Sequence, residues 1–169
     1  SKLPVLARPD AEDMLIIGLG AGITLQAVPS TIRRIDVVEL EQAVIDANRS
    51  ESKWRATDPL ADARLHLHNN DARSALRQSN QKFDVVVSQP SHPWTAGASH
   101  LYTREFFSLV KSRLHERGVF VQWIGLRFVD DTLLRSLLAT LNSEFQYVEM
   151  YQPLSQGGLV FLASDASTN

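Results

Sequence analysis

At the centre of the predicted fold is the stretch Met14-Leu15-Ile16-Ile17-Gly18-Leu19-Gly20-Ala21-Gly22. Its four leading apolar residues are typical of a strand that is covered on both faces of a sheet. Glycine permits a tight turn and a close approach of the backbone to a ligand, and the N–H groups at the start of the following helix face such a ligand. The stretch therefore predicts a strand, a glycine loop and a helix around a nucleotide. A plain tight turn is the alternative.

The spacing of the glycines narrows the kind of ligand. A dinucleotide fingerprint has the pattern GxGxxG, and its third glycine would fall on Ile23. Instead the pattern is GxGxG, at Gly18, Gly20 and Gly22. This spacing argues against a pyrophosphate bound in the manner of NAD and favours a smaller or zwitterionic group in that place.

Six further β-rich runs follow the first, at residues 35–38, 65–68, 83–87, 119–124, 147–151 and 159–163. Helical patterns lie between them, at 41–48 and 72–78, from a cap at Thr103 to a stop at Gly118, and after a cap at Asp130 or Asp131. The alternation predicts the α/β class, with a doubly wound, mostly parallel seven-stranded sheet and a terminal antiparallel hairpin. We expect a single domain over residues 1–164 and a tail at 165–169.

Acidic residues follow the second and third predicted strands. Glu39 ends the second strand, where a carboxylate accepts hydrogen bonds from both ribose hydroxyls and disfavours a 2′-phosphate. Asp71 follows the third, where it can accept from the adenine amino group while the Ala72 N–H contacts the ring. The alternatives are a solvated strand end for Glu39 and a helix N-cap for Asp71. With the glycine loop, the two carboxylates predict a nucleoside site at the carboxyl ends of the strands.

Composition argues against several other classes of function. The 169 residues are 44% hydrophobic with a net charge of −2, so we expect a folded chain without the basic excess that attracts nucleic acid. There are no cysteines, which excludes disulfides and thiol chemistry, and His66 and His68 lack a third ligand, so we expect no metal site. No apolar run is long enough to cross a membrane, and we expect no membrane contact by this segment.

A loop rich in proline, glycine and small residues follows the fourth predicted strand, over residues 88–98. It lies at the ligand end of the sheet, where a second substrate would arrive. We expect Trp94 and Tyr102 to wall off this pocket.

Four stretches of the chain resemble the spermidine synthase-like (polyamine aminopropyltransferase) branch of the class I S-adenosylmethionine-dependent methyltransferase fold, which is Rossmann-like. They are residues 15–22, 36–41, 70–73 and 83–102. The closest similarity is to members fused to membrane or other segments, through Pro90-Ser91-His92-Pro93-Trp94-Thr95-Ala96-Gly97 and Leu101-Tyr102-Thr103-Arg104-Glu105-Phe106. The resemblance extends through Gln122-Trp123 to the end and covers nearly the whole chain.

The resemblance implies aminopropyl transfer from decarboxylated S-adenosylmethionine to a polyamine. In that family an acidic pair after strand four helps to deprotonate the attacking amine and attracts the polyammonium. Here Gln89 stands at the first acidic position and His92 at the second. An amide takes no proton at neutral pH, whereas His92 is either a base or a polar loop residue. We therefore name Gln89, His92 and Tyr102 as candidate catalytic positions and expect weak or no turnover.

Three functions remain open from the sequence. The first is a transferase domain that binds S-adenosylmethionine or its decarboxylated form as co-substrate, with a polyamine or other amine as acceptor. The predicted ligand-binding residues are Gly18, Gly20, Gly22, Glu39, Asp71 and Ala72. The second function is methyl transfer to an unknown acceptor on the same fold, and the third is a module without activity. We expect a cytoplasmic domain, either free or as the soluble part of a longer, membrane-associated protein, and a homodimer remains open.

Overall fold

The computed structural model describes residues 2–90, 93–95, 97–127, 129–153 and 157–167. They form a seven-stranded sheet with the order β3-β2-β1-β4-β5-β7-β6. The strands are β1 (Asp13–Ile17), β2 (Arg34–Glu39), β3 (Leu65–Asn69), β4 (Phe83–Ser88), β5 (Leu114–Gly125), β6 (Tyr147–Tyr151) and β7 (Gly158–Ser164). The helices are α1 (Lys2–Ala7), α2 (Ile23–Gln26), α3 (Gln42–Glu51), α4 (Ala72–Gln78), α5 (Arg104–Ser112) and α6 (Asp131–Glu144).

The first five strands run parallel, and β7 runs antiparallel to both β5 and β6. This confirms the predicted α/β fold with its mostly parallel sheet and terminal antiparallel strands. Every residue of β4 is buried, including the polar Asp84 and Ser88, as expected of a strand at the centre of a parallel sheet. Successive side chains of β1 enter different cores, with Leu15 and Ile17 on one face of the sheet and Met14 and Ile16 on the other.

The helix that follows Thr103 is shorter than predicted. Thr103 caps it as expected, since its Oγ1 accepts a hydrogen bond from Phe106 N at 3.3 Å. The helix ends at Ser112, however, and not at Gly118, because β5 already begins at Leu114. Gly118 lies where the pairing of β5 with β4 is irregular, and a Cβ there would lie 2.8 Å from the Leu114 Cβ. The glycine therefore allows close packing in a bulged strand and does not terminate a helix.

The carboxyl ends of β1, β2, β3 and β4 meet at one edge of the sheet, which is where parallel α/β sheets bind ligands. Backbone hydrogen bonds continue the ladders beyond the strands, from Gly18 N to Val38 O at 2.9 Å and from Gln89 N to Ile17 O at 3.1 Å. The glycine loop is therefore held between the ends of β2 and β4. No helix within the described ranges has the length and apolar character needed to cross a membrane.

Candidate functional site

A cavity of about 320 Å³ opens at this edge of the sheet. Its walls come from the glycine loop, the end of β2, the turn between β3 and α4, and the segment after β4. The described lining includes Gly18, Gly20, Glu39, Glu41, Asp71, Ala72, Gln89, Pro90, Thr95, Gly97, Ala98 and Leu101. The structure thus brings together all of the predicted ligand-binding residues except Gly22, which lies behind the loop.

The glycine loop needs glycine at each of its three positions. Gly18, Gly20 and Gly22 have φ angles of +91°, +51° and +76°, in the left-handed region that other residues rarely adopt. A Cβ on Gly22 would lie 2.8 Å from the Pro59 Cγ, whereas one on Gly20 would meet no atom within 4 Å. Gly22 therefore serves packing inside the protein, while Gly20 leaves its side of the loop open to the cavity.

Glu39 joins the glycine loop to the end of β2. Its side chain is almost buried, with Oε2 accepting from Leu19 N at 2.8 Å and Oε1 accepting from Glu41 N at 3.0 Å. A buried carboxylate is costly unless such donors compensate it. The alternative of a solvated strand end is therefore wrong, because this carboxylate fixes the loop and also lines the cavity. Its contact with a ribose stays a prediction.

Asp71 caps helix α4. Its Oδ2 accepts a hydrogen bond from Ser74 N at 2.8 Å, so the N-cap reading of this residue is confirmed. The cap and the cavity do not exclude each other, because a carboxylate has a second oxygen and both Asp71 and Ala72 line the cavity. Their contacts with an adenine ring stay predictions.

Gln89 directs its amide to the glycine loop. Its Nε2 donates to Gly18 O at 3.0 Å, and its Oε1 accepts from Thr24 Oγ1 at 2.5 Å. Both ends of the amide are thus bonded to the protein, although the residue also lines the cavity. The geometry gives Gln89 a positioning role for the loop, and a role in the chemistry stays a prediction.

Of the other two candidate catalytic residues, the structure describes only Tyr102. His92 lies outside the described residues. Tyr102 is not among the residues that line the cavity, and its hydroxyl donates to Trp123 O at 3.3 Å. Burial raises the pKa of the Tyr102 hydroxyl, although a hydrogen bond with Gln122 acts in the opposite direction. The Tyr102 side chain packs against the core, whereas Leu101 lies at the cavity wall. A catalytic role for Tyr102 stays a prediction.

The charged side chains among the described residues that line the cavity are all acidic. They are Glu39, Glu41 and Asp71, and no basic side chain of the described lining joins them there. Carboxylates around a cavity favour a cationic ligand and oppose an anionic one. Within the described ranges, no group of three or more His, Asp or Glu side chains is arranged to hold a metal ion.

Sequence reasoning missed two residues behind the glycine loop. Asn48 Nδ2 donates to Gly20 O at 2.7 Å, and Arg55 Nη1 donates to Ala21 O at 3.0 Å. A signal for Asn48 was present, since it follows Val44 by one helical turn and so continues the inward face of α3 with a polar residue. No comparable signal marks Arg55, because its contact depends on how the segment after α3 folds back.

Comparisons with known proteins agree with this geometry. The family described as "Spermine/spermidine synthase domain" matches residues 1–162. Polyamine aminopropyltransferase 2 of Pseudomonas aeruginosa is 34% identical over 170 residues, which cover 95% of this chain and 48% of the relative. Polyamine aminopropyltransferase of Lachnospira eligens is 30% identical over 163 residues, covering 92% and 56%. The chain therefore spans about half the length of these curated relatives.

Solved structures share the fold. A spermidine synthase crystallised with the transition state analogue AdoDATO superposes with a TM-score of 0.87 at 24% identity, over 99% of this chain and 59% of that one. Human methyltransferase-like protein 13, in complex with SAH, superposes with a TM-score of 0.72 at 19% identity, over 95% and 74%. The sheet order, the glycine loop and the family match lead to one conclusion: the chain belongs to the spermine/spermidine synthase domain family, with a class I methyltransferase-like fold.

Proposed function

We propose that the cavity binds decarboxylated S-adenosylmethionine and that the chain is the nucleotide-binding part of an aminopropyltransferase. The observation that carries this proposal is the lining of three carboxylates without a described basic side chain. Intact S-adenosylmethionine has a sulfonium, an ammonium and a carboxylate, whereas the decarboxylated form has only the two cationic groups. Two unit charges about 4 Å apart interact with an energy of about 1 kcal/mol in water and about 4 kcal/mol near a protein surface. We expect at least about tenfold tighter binding of the decarboxylated form, which corresponds to about 1.4 kcal/mol.

The adenosine part fits the β1, β2 and β3 ends of the cavity. In this arrangement the ribose hydroxyls donate to Glu39, whose carboxylate already lines the cavity. The adenine ring lies beside Asp71 and Ala72, and the sulfonium side passes over the open face of Gly20. The two structural relatives were crystallised in complex with AdoDATO and SAH, which supports an adenosyl ligand for this cavity.

The proposed reaction is the attack of an amine on the methylene carbon next to the sulfonium. A new C–N bond forms, the C–S bond breaks with its electron pair passing to sulfur, and methylthioadenosine leaves while the amine loses a proton. Gln89 cannot take that proton, because an amide is not a base at neutral pH. We propose that the amine arrives neutral from solvent, so the rate should rise about tenfold per pH unit below the amine pKa of about 10. A rate that instead levels off at about pH 6.5 would point to His92 as the base.

One observation favours methyl transfer as a second candidate. The N–H groups of Gly20 and Ala21 make no hydrogen bond to any described residue, and free N–H donors suit the carboxylate of intact S-adenosylmethionine. Two neutral N–H donors attract the ligand carboxylate less strongly than the three carboxylates of the cavity repel it, so we rank this candidate second.

A binding comparison tests the proposal. Calorimetry should give the tightest binding for decarboxylated S-adenosylmethionine, then methylthioadenosine and intact S-adenosylmethionine, with no binding of NAD. A ligand at 100 times its dissociation constant should add about 2.7 kcal/mol to the free energy of unfolding. Preference for intact S-adenosylmethionine would support the methyltransferase candidate, and no binding of any adenosyl compound would refute both. Release of methylthioadenosine with putrescine at pH 7 and pH 9 then tests the transfer step.

A further inference from the structure

A pair of polar side chains grips the glycine loop from the side opposite the cavity. Asn48, on α3, donates from Nδ2 to Gly20 O at 2.7 Å and to Val44 O at 2.9 Å. Arg55, after the 3₁₀ turn Ser52–Trp54, donates from Nη1 to Ala21 O at 3.0 Å and to Asn48 Oδ1 at 3.0 Å. The two side chains are thus bonded to each other and to two consecutive carbonyls of the loop.

Asn48 is only 3% exposed, although it is one of the few polar residues in the interior. A buried amide costs free energy unless its groups are hydrogen-bonded, and here both its donor and its acceptor atoms have partners. A Cβ on Gly22 would lie 3.3 Å from Asn48 Oδ1, so the end of the loop also packs directly against this side chain. The loop is therefore seated on Asn48 and has little freedom on that side.

The carbonyl contacts determine where the opposite ends of the peptide units point. In a trans peptide the C=O and the following N–H point in opposite directions within one plane. Because Asn48 draws the Gly20 carbonyl to the rear of the loop, the Ala21 N–H points the other way. Arg55 fixes the direction of the Ala21 carbonyl in the same way, and with it the direction of the Gly22 N–H. This N–H donates to Leu19 O at 2.9 Å and closes the turn.

We propose that Asn48 and Arg55 are positioning residues that hold the glycine loop in its ligand-binding conformation, although neither lines the cavity. This inference rests on the proposed binding of an adenosyl sulfonium ligand. Without the pair, the loop would populate other conformations, and the measured dissociation constant would rise by the inverse of the competent fraction. Loss of Arg55 also removes the donor to the buried Asn48 Oδ1, so a small loss of stability should accompany the weaker binding.

Arg55→Ala is the informative variant, with Arg49→Ala as its matched control. Arg49 lies on α3 next to Asn48 and pairs with Asp46 at 3.3 Å, and none of its hydrogen bonds or ion pairs with described residues reaches the loop. We expect the dissociation constant of decarboxylated S-adenosylmethionine to rise about tenfold in Arg55→Ala and less than about twofold in Arg49→Ala. Arg55→Lys keeps the charge and a donor, so it should restore affinity to within about threefold of the unsubstituted chain.

Hydrogen exchange of the ligand-free chain separates a positioning role from a structural one. The hydrogen-bonded amides of Leu19 and Gly22 should exchange faster in Arg55→Ala, by more than the change in unfolding free energy measured in urea accounts for. The amides of β4 should follow that global change only. If the unsubstituted chain binds ligand and Arg55→Ala binds equally well, the positioning role is wrong and the proposed function stands. If the unsubstituted chain binds no adenosyl compound, the proposed function fails, and unchanged loop exchange in Arg55→Ala would show that the pair does not hold the loop either.

Discussion

The two halves of the cavity differ in how they are built. The β1–β3 half comprises Gly18, Gly20, Glu39, Glu41, Asp71 and Ala72, and the carboxylates of Glu39 and Asp71 are tied to backbone N–H groups. The β4 half comprises Gln89, Pro90, Thr95, Gly97, Ala98 and Leu101, and none of these side chains is charged. Its one long polar side chain, Gln89, is bonded to the opposite half. The contrast indicates that ligand recognition is concentrated in the first half, so binding and transfer should respond to different substitutions.

The largest expected effect comes from Gly22→Ala, compared with Gly97→Ala in the β4 half. Both glycines have a positive φ, but a Cβ on Gly22 would lie 2.8 Å from the Pro59 ring, whereas one on Gly97 would meet nothing within 4 Å. We expect Gly22→Ala to lower the free energy of unfolding by about 3 kcal/mol and Gly97→Ala by about 1 kcal/mol. Urea denaturation measures both. Equal losses would mean that the loop is no more constrained than the β4 half.

Glu39→Gln is expected to have the second largest effect. The amide has one acceptor oxygen for two backbone N–H donors, so one donor loses its partner. We expect a loss of about 2 kcal/mol in unfolding free energy and at least about tenfold weaker binding of decarboxylated S-adenosylmethionine. Glu41→Gln removes the same charge from the cavity without those bonds and serves as the control. If the two substitutions weaken binding to a similar extent, the cause is the lost negative charge and not the lost hydrogen bonds.

Gln89→Ala tests the assignment of this residue to the loop. Loss of its bonds to Gly18 O and Thr24 Oγ1 should destabilise the chain by about 1 kcal/mol and weaken ligand binding about fivefold. Single-turnover transfer with saturating ligand should change less than the dissociation constant does. Thr24→Val removes one of the two bonds and should have a smaller effect in the same direction. Lost turnover with unchanged binding would instead make Gln89 catalytic and contradict the separation of the two halves.

The smallest expected effect concerns acid pH. Burial alone would raise the pKa of Asp36, but hydrogen bonds from Arg34 and His68 outweigh it and hold that pKa below its ordinary value. The ionised carboxylate therefore adds stability above the unfolded pKa of about 3.9, and this contribution disappears as the pH falls through the lower folded value. We expect the difference in unfolding free energy between pH 7 and pH 3 to be smaller in Asp36→Asn. An unchanged difference would mean that the Asp36 carboxylate, which lies 2.8 Å from His68 Nε2 on β3, does not contribute to stability.

The strands could be predicted because their causes are local. Continuous apolar runs identify β1 and β4, and the glycine loop with Glu39 and Asp71 identifies the ligand edge. The start of β5 could not be predicted, because the polar residues His115, Glu116 and Arg117 read as the end of a helix but lie in an exposed bulge of a strand. Such a bulge depends on how the strand pairs with its neighbour, and the residue pattern of the segment itself does not reveal that pairing.

The arrangement of the site is only partly visible in the sequence for a related reason. Residues at strand ends could be named, since the topology brings them to one edge. The bonds of Gln89 and Asn48 to the loop could not, because they depend on side-chain directions in the folded chain. The position of Tyr102 shows the same limit, as an aromatic residue near a ligand edge either lines the cavity or packs behind it.

The hydrogen bonds around the glycine loop also have a consequence for the order of folding. They join residues that are distant in sequence, by 71 positions for Gln89 and Gly18, 20 for Glu39 and Leu19, 28 for Asn48 and Gly20, and 34 for Arg55 and Ala21. Each such contact requires the closure of a long chain segment. The loop should therefore acquire its shape only after β1, β2, α3 and β4 have assembled, late in folding. Recovery of ligand binding would then report completion of that half of the molecule, later than the recovery of secondary structure.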